Sequence, residues 1–170
     1  MNTIACADIT ALRSVPAGTL VALEGEVVTL RDRSLARLAE LKKKGDPLPF
    51  ELAGRIIFFA GPTPGVADGH GSVGPTTSRR MTAYLPLLAD LGVAAVMGKG
   101  PLDKAALDLL AAHRILYLQA AGGAGAFYGK RITSIKTAAY AELGPEGIFE
   151  LTVRDFIVMM SLDGKGVVFL

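Results

Sequence analysis

The chain has 170 residues, 51% of them apolar and 20% charged, and a formal net charge of +2. That length buries a continuous core without disulfides or a structural metal, so one domain spanning 1–170 is expected. The small charge argues against nucleic acid, no apolar run reaches the roughly 20 residues that cross a bilayer, and the start lacks a basic segment followed by an apolar stretch; a soluble, unexported, cytoplasmic protein is expected.

Residues 19–23 and 26–30 read as two short strands around Gly25, after a Val15-Pro16-Ala17-Gly18 turn signal. A helix follows, capped by Asp32 or Ser34, with Leu35, Leu38 and Leu41 as its buried stripe and Arg37 and Glu40 facing water. Lys42, Lys43 and Lys44 suit the negative end of its dipole, and no aromatic residue is interleaved with them for base stacking. Gly45-Asp46-Pro47-Leu48-Pro49 then stops the helix.

From Arg55 the pattern changes to uninterrupted apolar runs at 56–60, 93–97 and 115–118. Between them lie helices with apolar residues at Met81, Tyr84, Leu85 and Leu88, and at Leu102, Ala106 and Leu109. Strands apolar on both faces that alternate with helices indicate an α/β fold with a parallel sheet covered by helices. Pro86 falls inside the first of these helices and should kink it. Residues 132–170 read as mostly β, with strands at 149–153 and 158–162, and the chain has no internal repeat or low-complexity segment.

A single cysteine, Cys6, excludes an internal disulfide, and the two histidines, His70 and His113, are far apart. Zinc and iron-sulfur clusters usually need about four protein ligands, so any metal is expected to come from elsewhere. Gly69 to Gly74 matches G-x-G-x-x-G by letter, but it comes well after Ala60 and Pro75 interrupts at once, which is not the setting of a dinucleotide fingerprint. Gly98-Lys99-Gly100 fails as a phosphate loop, because Gly100 stands where Ser or Thr belongs.

Gly74-Pro75-Thr76-Thr77-Ser78-Arg79-Arg80-Met81 is more informative. It delivers hydroxyls to a helix start, where backbone N–H groups favour an anion. Thr76 and Arg80, four apart, can share one face of the first turn and so put a hydroxyl beside a guanidinium that grips carboxylates with two hydrogen bonds. The alternative is that the threonines only cap and the arginines are solvated. Arg31 ends the run 26–30 and Lys99 follows 93–97, at the carboxyl edge where open α/β sheets bind ligands. A lysine between two glycines is poorly explained as packing. Convergence of Thr76 with Arg31, Arg80 and Lys99 would suit a small dicarboxylate.

Gly61-Pro62, Gly74-Pro75-Thr76-Thr77-Ser78, Arg80-Met81, Gly98-Lys99-Gly100, Gly122-Gly123-Ala124 and Leu143-Gly144 with Glu146 occur in that order over nearly the whole chain. The succession resembles the β subunit, or C-terminal domain, of class I iron-sulfur fumarases and L-tartrate dehydratases. The resemblance implies a swivelling β/β/α domain, with a partly parallel sheet covered by helices and additional β segments. It implies a hydro-lyase subunit, chiefly for fumarate and L-malate and alternatively for L-tartrate, inactive without an α subunit and assembled with it as α2β2. No cofactor is then bound by this chain; a 4Fe-4S cluster sits on three cysteines of the α partner. Arg31, Arg80 and Lys99 would hold substrate carboxylates, and Thr76 would be catalytic, near the carbon that loses its proton. Leu35 departs from the resembling pattern, standing where a histidine is usual, and Pro145, Gly147 and Ile157 depart from its closing segment. The rival reading is a non-catalytic carboxylate-binding or assembly module, for which Leu35 is the best support.

Overall fold

The computed structural model describes residues 2–65 and 71–169, so Gly69 and His70 lie outside the described residues. Strand β1 (Asn2–Ala5) and helix α1 (Ile9–Ser14), the latter capped by Asp8 through a 2.9 Å bond from Ala11 N, were not legible in the pattern. They precede β2 (Leu20–Thr29) and α2 (Asp32–Lys44). The chain continues through β3 (Ile56–Phe58), β4 (Ala60–Pro62), β5 (Val73–Pro75), a 3₁₀ segment (Ser78–Tyr84) and α3 (Leu85–Asp90). Then come β6 (Ala95–Gly98), α4 (Lys104–Ala112), β7 (Leu116–Gln119), α5 (Gly125–Gly129), β8 (Ile132–Ala139), a second 3₁₀ segment (Ala141–Glu146) and β9 (Ile148–Leu162). Among the described residues no helix is long and apolar enough to cross a membrane.

The fold is α/β. Strands β2, β3, β6 and β7 pair in parallel in that order, and β9 runs antiparallel beside both β7 and β2. The pairings therefore form a closed circuit. One edge of β2 takes β1 at residues 21–24 and β3 at 28–29, while its other edge takes β9. β9 divides its own second edge between β8 and β7.

This closure explains why the parallel strands are apolar on both faces. Val21, Leu23, Val27, Ile56, Phe58, Met97, Leu116, Leu118 and Met160 belong to one buried cluster. Alternate residues, including Val28, Leu30, Ile57, Val96 and Tyr117, join a second cluster with Leu35 and Leu38 of α2, Met81 and Leu85. Phe58 meets Phe156 edge to face at 5.4 Å and Phe156 stacks on Tyr128 at 4.5 Å, which ties β3, β9 and α5 together. Such pairs contribute about 0.5–1.5 kcal/mol each beyond the burial of their rings.

Several expectations change. The runs at 19–23 and 26–30 are one strand, as are those at 149–153 and 158–162. A β-bulge interrupts both patterns: Arg154 and Asp155 together oppose Glu24, Asp155 has φ 49° and Gly25 has φ 118°. The run 56–60 is divided at Phe59 between β3 and β4. Neither Asp32 nor Ser34 occupies the N-cap of α2; Arg31 does, and Ser34 serves from the first turn by accepting from Arg31 N at 2.9 Å. Pro86 does not kink one helix, because the 3₁₀ segment ends before it and Pro86 lies in the first turn of α3, where its missing N–H costs nothing. On α4 the buried face is Ala106, Leu107 and Leu110 rather than a stripe through Leu109.

Candidate functional site

Because β2, β3, β6 and β7 are parallel, the residues that follow them gather at one edge. Arg31 follows β2 and Lys99 follows β6, as their positions in the sequence predict. Past Met97 the ladder between β3 and β6 is interrupted, and the chain at 76–78 enters the gap. Phe59 N still donates to Met97 O at 2.7 Å, but Phe59 O accepts from Thr76 N at 2.6 Å. Thr76 O then accepts from Lys99 N at 3.0 Å, and Lys99 O accepts from Ser78 N at 3.0 Å. Thr76 and Lys99 are thus joined directly through their backbones.

The helical-face argument for Thr76 and Arg80 fails. Thr76 precedes the 3₁₀ segment, Thr77 is its N-cap in extended backbone without a side-chain cap bond, and Thr76 is buried while the Arg80 side chain is 55% exposed. What brings Arg80 to the edge is an acid: its Nη2 donates to Asp32 Oδ2 at 2.8 Å, and Asp32 directly follows Arg31. Arg31 Nη2 lies 3.5 Å from Glu146 Oε1, and Glu146 Oε2 accepts from Arg33 N at 2.8 Å. Arg31 Nε is buried and has no acceptor among the described residues. Lys99 has no carboxylate partner and the Thr76 hydroxyl has no hydrogen bond, again among the described residues. The structure therefore assembles all four predicted residues at one edge.

Glycines make this assembly possible, and two of them account for the setting of Lys99 by packing after all. A Cβ on Gly98 would stand 2.2 Å from Ser78 Oγ, and Gly100 has φ 76°, a conformation that side chains disfavour. Gly61 is equally confined, since a Cβ there would meet Pro145 O at 2.2 Å and Arg31 Cδ at 3.1 Å. Pro145, one of the departures, thus closes on the arginine through Gly61. Leu35 is fully buried in the core that faces α2, so at that position the chain supplies packing rather than a polar group. The sequence does not single out Asp32, Ser78 or Tyr117 at this edge: Asp32 reads as a cap, Ser78 as one of several hydroxyls in its segment, and Tyr117 as a lone hydroxyl inside an apolar strand.

The edge gathers cations, and its two described acids, Asp32 and Glu146, are each paired with an arginine. Burial pushes the Tyr117 phenol up to about 12, against a lowering bond from Ser78. Cys6 is likewise pushed to about 12 by burial and sits beside Gly25 and Ile56, near the start of β3 rather than its end. Among the described residues no three His, Cys, Asp or Glu side chains come together as a metal site. One buried cysteine with no second thiol in the sequence does not supply the ligands an iron-sulfur cluster takes, so these residues do not fit a cluster held by this chain alone. One groove of about 420 Å³ adjoins the edge at Gly100 and Gly122 and is otherwise lined largely by apolar residues such as Leu20, Phe127 and Val158.

Fold and edge together define an α/β domain with cations gathered at the carboxyl ends of its parallel strands. The chain belongs to the Fumarase C-terminus family, which matches residues 4–170. It is 36% identical over 159 residues to Fumarate hydratase 2 of Leishmania major, covering 91% of this chain and 28% of that protein. It is 32% identical over 165 residues to the putative L(+)-tartrate dehydratase subunit beta of Methanocaldococcus jannaschii, covering 92% and 85%. It is 31% identical over 164 residues to the L(+)-tartrate dehydratase subunit beta of Escherichia coli (strain K12), covering 91% and 79%. The chain thus spans under a third of the fumarate hydratase and most of each tartrate dehydratase subunit. The activities these names state are both hydro-lyase reactions.

Proposed function

We propose that this chain is the β subunit of a two-subunit iron-sulfur hydro-lyase that reversibly hydrates fumarate to L-malate and is inactive without its α partner. The observation that carries the reading is the gathering of Arg31, Thr76, Arg80 and Lys99 at one strand edge in a chain of this family. Arg31, Arg80 and Lys99 supply the charge to hold two carboxylates; Arg80 and Arg31 are oriented from behind by Asp32 and Glu146. Thr76 is fixed by its backbone beside Lys99 and lies near the carbon that loses its proton. A threonine hydroxyl is a poor base, so its proton acceptor belongs to the α subunit. A cluster would be held by cysteines of that partner and would supply Lewis-acid chemistry there.

A second reading, L-tartrate dehydratase, is favoured by the greater share of the two tartrate dehydratase subunits that the chain covers. Two copies of each subunit are proposed, in keeping with the closed twofold assemblies common among soluble oligomers. The test is co-expression with a three-cysteine partner under anaerobic conditions, followed by mass measurement and assays of fumarate hydration and tartrate dehydration. An α2β2 complex that hydrates fumarate is expected; faster turnover of tartrate would select the second reading. A stable pair that turns over neither would leave the non-catalytic module.

A further inference from the structure

Tyr117 and Ser78 are both completely buried, yet each carries a hydroxyl, and the two oxygens lie 2.8 Å apart behind the strand edge. The Tyr117 hydroxyl also bonds to the Gly100 carbonyl. A phenol has one proton and a carbonyl can only accept, so Tyr117 donates to Gly100 O and Ser78 Oγ–H donates to Tyr117. Ser78 N in turn donates to Lys99 O, and Lys99 N donates to Thr76 O. The Lys99 N–H, the Lys99 carbonyl and the Gly100 carbonyl are therefore all bound, the last of them by the phenol. Gly98 closes the arrangement, because no side chain fits between it and Ser78 Oγ.

We propose that Tyr117, acting with Ser78, is a positioning residue that sets Lys99 for a dicarboxylate, a claim that rests on the hydro-lyase reading above. Tyr117 touches neither substrate nor reacting atoms; it fixes the turn that carries the lysine. Burial, which raises the phenol to about 12, keeps its proton in place across the physiological range. Were the ring mere packing, phenylalanine would serve equally well.

The test is Tyr117→Phe in the assembled enzyme, with Lys99→Met and the double variant beside it. Losing a buried hydrogen bond and loosening the turn should lower kcat/KM between about tenfold and a hundredfold. Most of the loss should fall on KM, since a carboxylate grip is made before the transition state. In the Lys99→Met background the same change should cost less than about twofold, because the group it positions is gone. Amide exchange at Ser78 and Lys99 should accelerate in Tyr117→Phe, with α4 and β1 unchanged. Ser78→Ala, which leaves the bond to Gly100 intact, should give the same pattern more weakly and carries both measurements if Tyr117→Phe does not assemble. Unchanged exchange at Ser78 and Lys99, or an undiminished loss in the Lys99→Met background, overturns the proposal. If the wild-type complex turns over neither fumarate nor tartrate, the hydro-lyase reading fails by itself, and the exchange measurement still decides the positioning claim.

Discussion

A methyl group added at Gly98 would stand 2.2 Å from Ser78 Oγ, 3.1 Å from Thr76 O and 3.2 Å from Phe59 Cδ2. Carbon atoms pack best at roughly 3.5–4.0 Å, so the first of these contacts must open by about an ångström or more. Ser78 cannot swing into solvent, because it is fully buried and its hydroxyl is bound beneath Tyr117. Overpacking of this kind costs about 1–3 kcal/mol, and a rotated Ser78 would forfeit a hydrogen bond contributing about 0.5–1.5 kcal/mol. Gly98→Ala should therefore lose about 2–4 kcal/mol. For chains of about this length each kcal/mol moves the melting temperature by roughly 2–4 °C, which gives a drop of roughly 4–16 °C.

Thermal unfolding of the assembled protein measures it, with Gly74→Ala as a control. Nothing lies within 4 Å of a Cβ at Gly74, so that variant should stay within about 0.5 kcal/mol of wild type. Adding Ser78→Ala to Gly98→Ala removes the clashing oxygen and should recover part of the loss. A Gly98→Ala protein that melts with the wild type, or two substitutions that simply add, would refute the close approach on which the Lys99 turn depends.

In the assembled enzyme Arg80→Lys keeps charge but not the two-pronged fit and should mainly raise KM, whereas Thr76→Val should mainly lower kcat; wild-type kinetics in both would refute these roles. Burial raises the Asp163 carboxyl, but the N–H groups of Val167, Ala17 and Lys165 more than offset it and hold it below its usual range. Its folded value thus lies below the unfolded one near 3.9, so its stabilisation is present above about pH 4 and is lost as pH falls through the folded value. Urea midpoints measured from pH 2 to 6 should show a shallower acid limb in Asp163→Asn than in wild type. Chain purified without a partner should hold no stoichiometric iron after reconstitution with iron and sulfide, by metal analysis, and a stable cluster on it would sink the proposed division of labour.

The parallel strands were legible because closure of the sheet buries both of their faces, leaving uninterrupted apolar runs at Ile57, Val96 and Tyr117. The long strands β2 and β9 were not, since one bulge at Glu24 and Arg154-Asp155 breaks the alternation in both. Arg31 and Lys99 could be placed from strand ends alone. The setting of Thr76 could not, because it depends on a backbone bridge to Lys99 between segments more than twenty residues apart, and local helix rules assigned it to the wrong element. Asp32 was visible as a residue but not as a partner, for its choice of Arg80 over the helix cap is decided by tertiary contact.

The acids at the edge also bear on how labour is divided in the proposed reaction. Asp32 and Glu146 each face an arginine, and Tyr117 keeps its proton for Gly100. Among the described residues the edge therefore offers cations, two carboxylates already paired with arginines and the Thr76 hydroxyl, and on the proposed reading this set binds and orients a dicarboxylate while the proton an elimination releases goes elsewhere. Bringing an acid closer from this chain would neutralise the cations that hold the substrate. An acceptor on an opposing surface avoids that conflict, because it can approach the reacting carbon from the side away from Arg31, Arg80 and Lys99. On this reading the grip and the proton transfer are separated between chains for an electrostatic reason, and substitutions at the edge should change binding and orientation far more than the pH dependence of turnover.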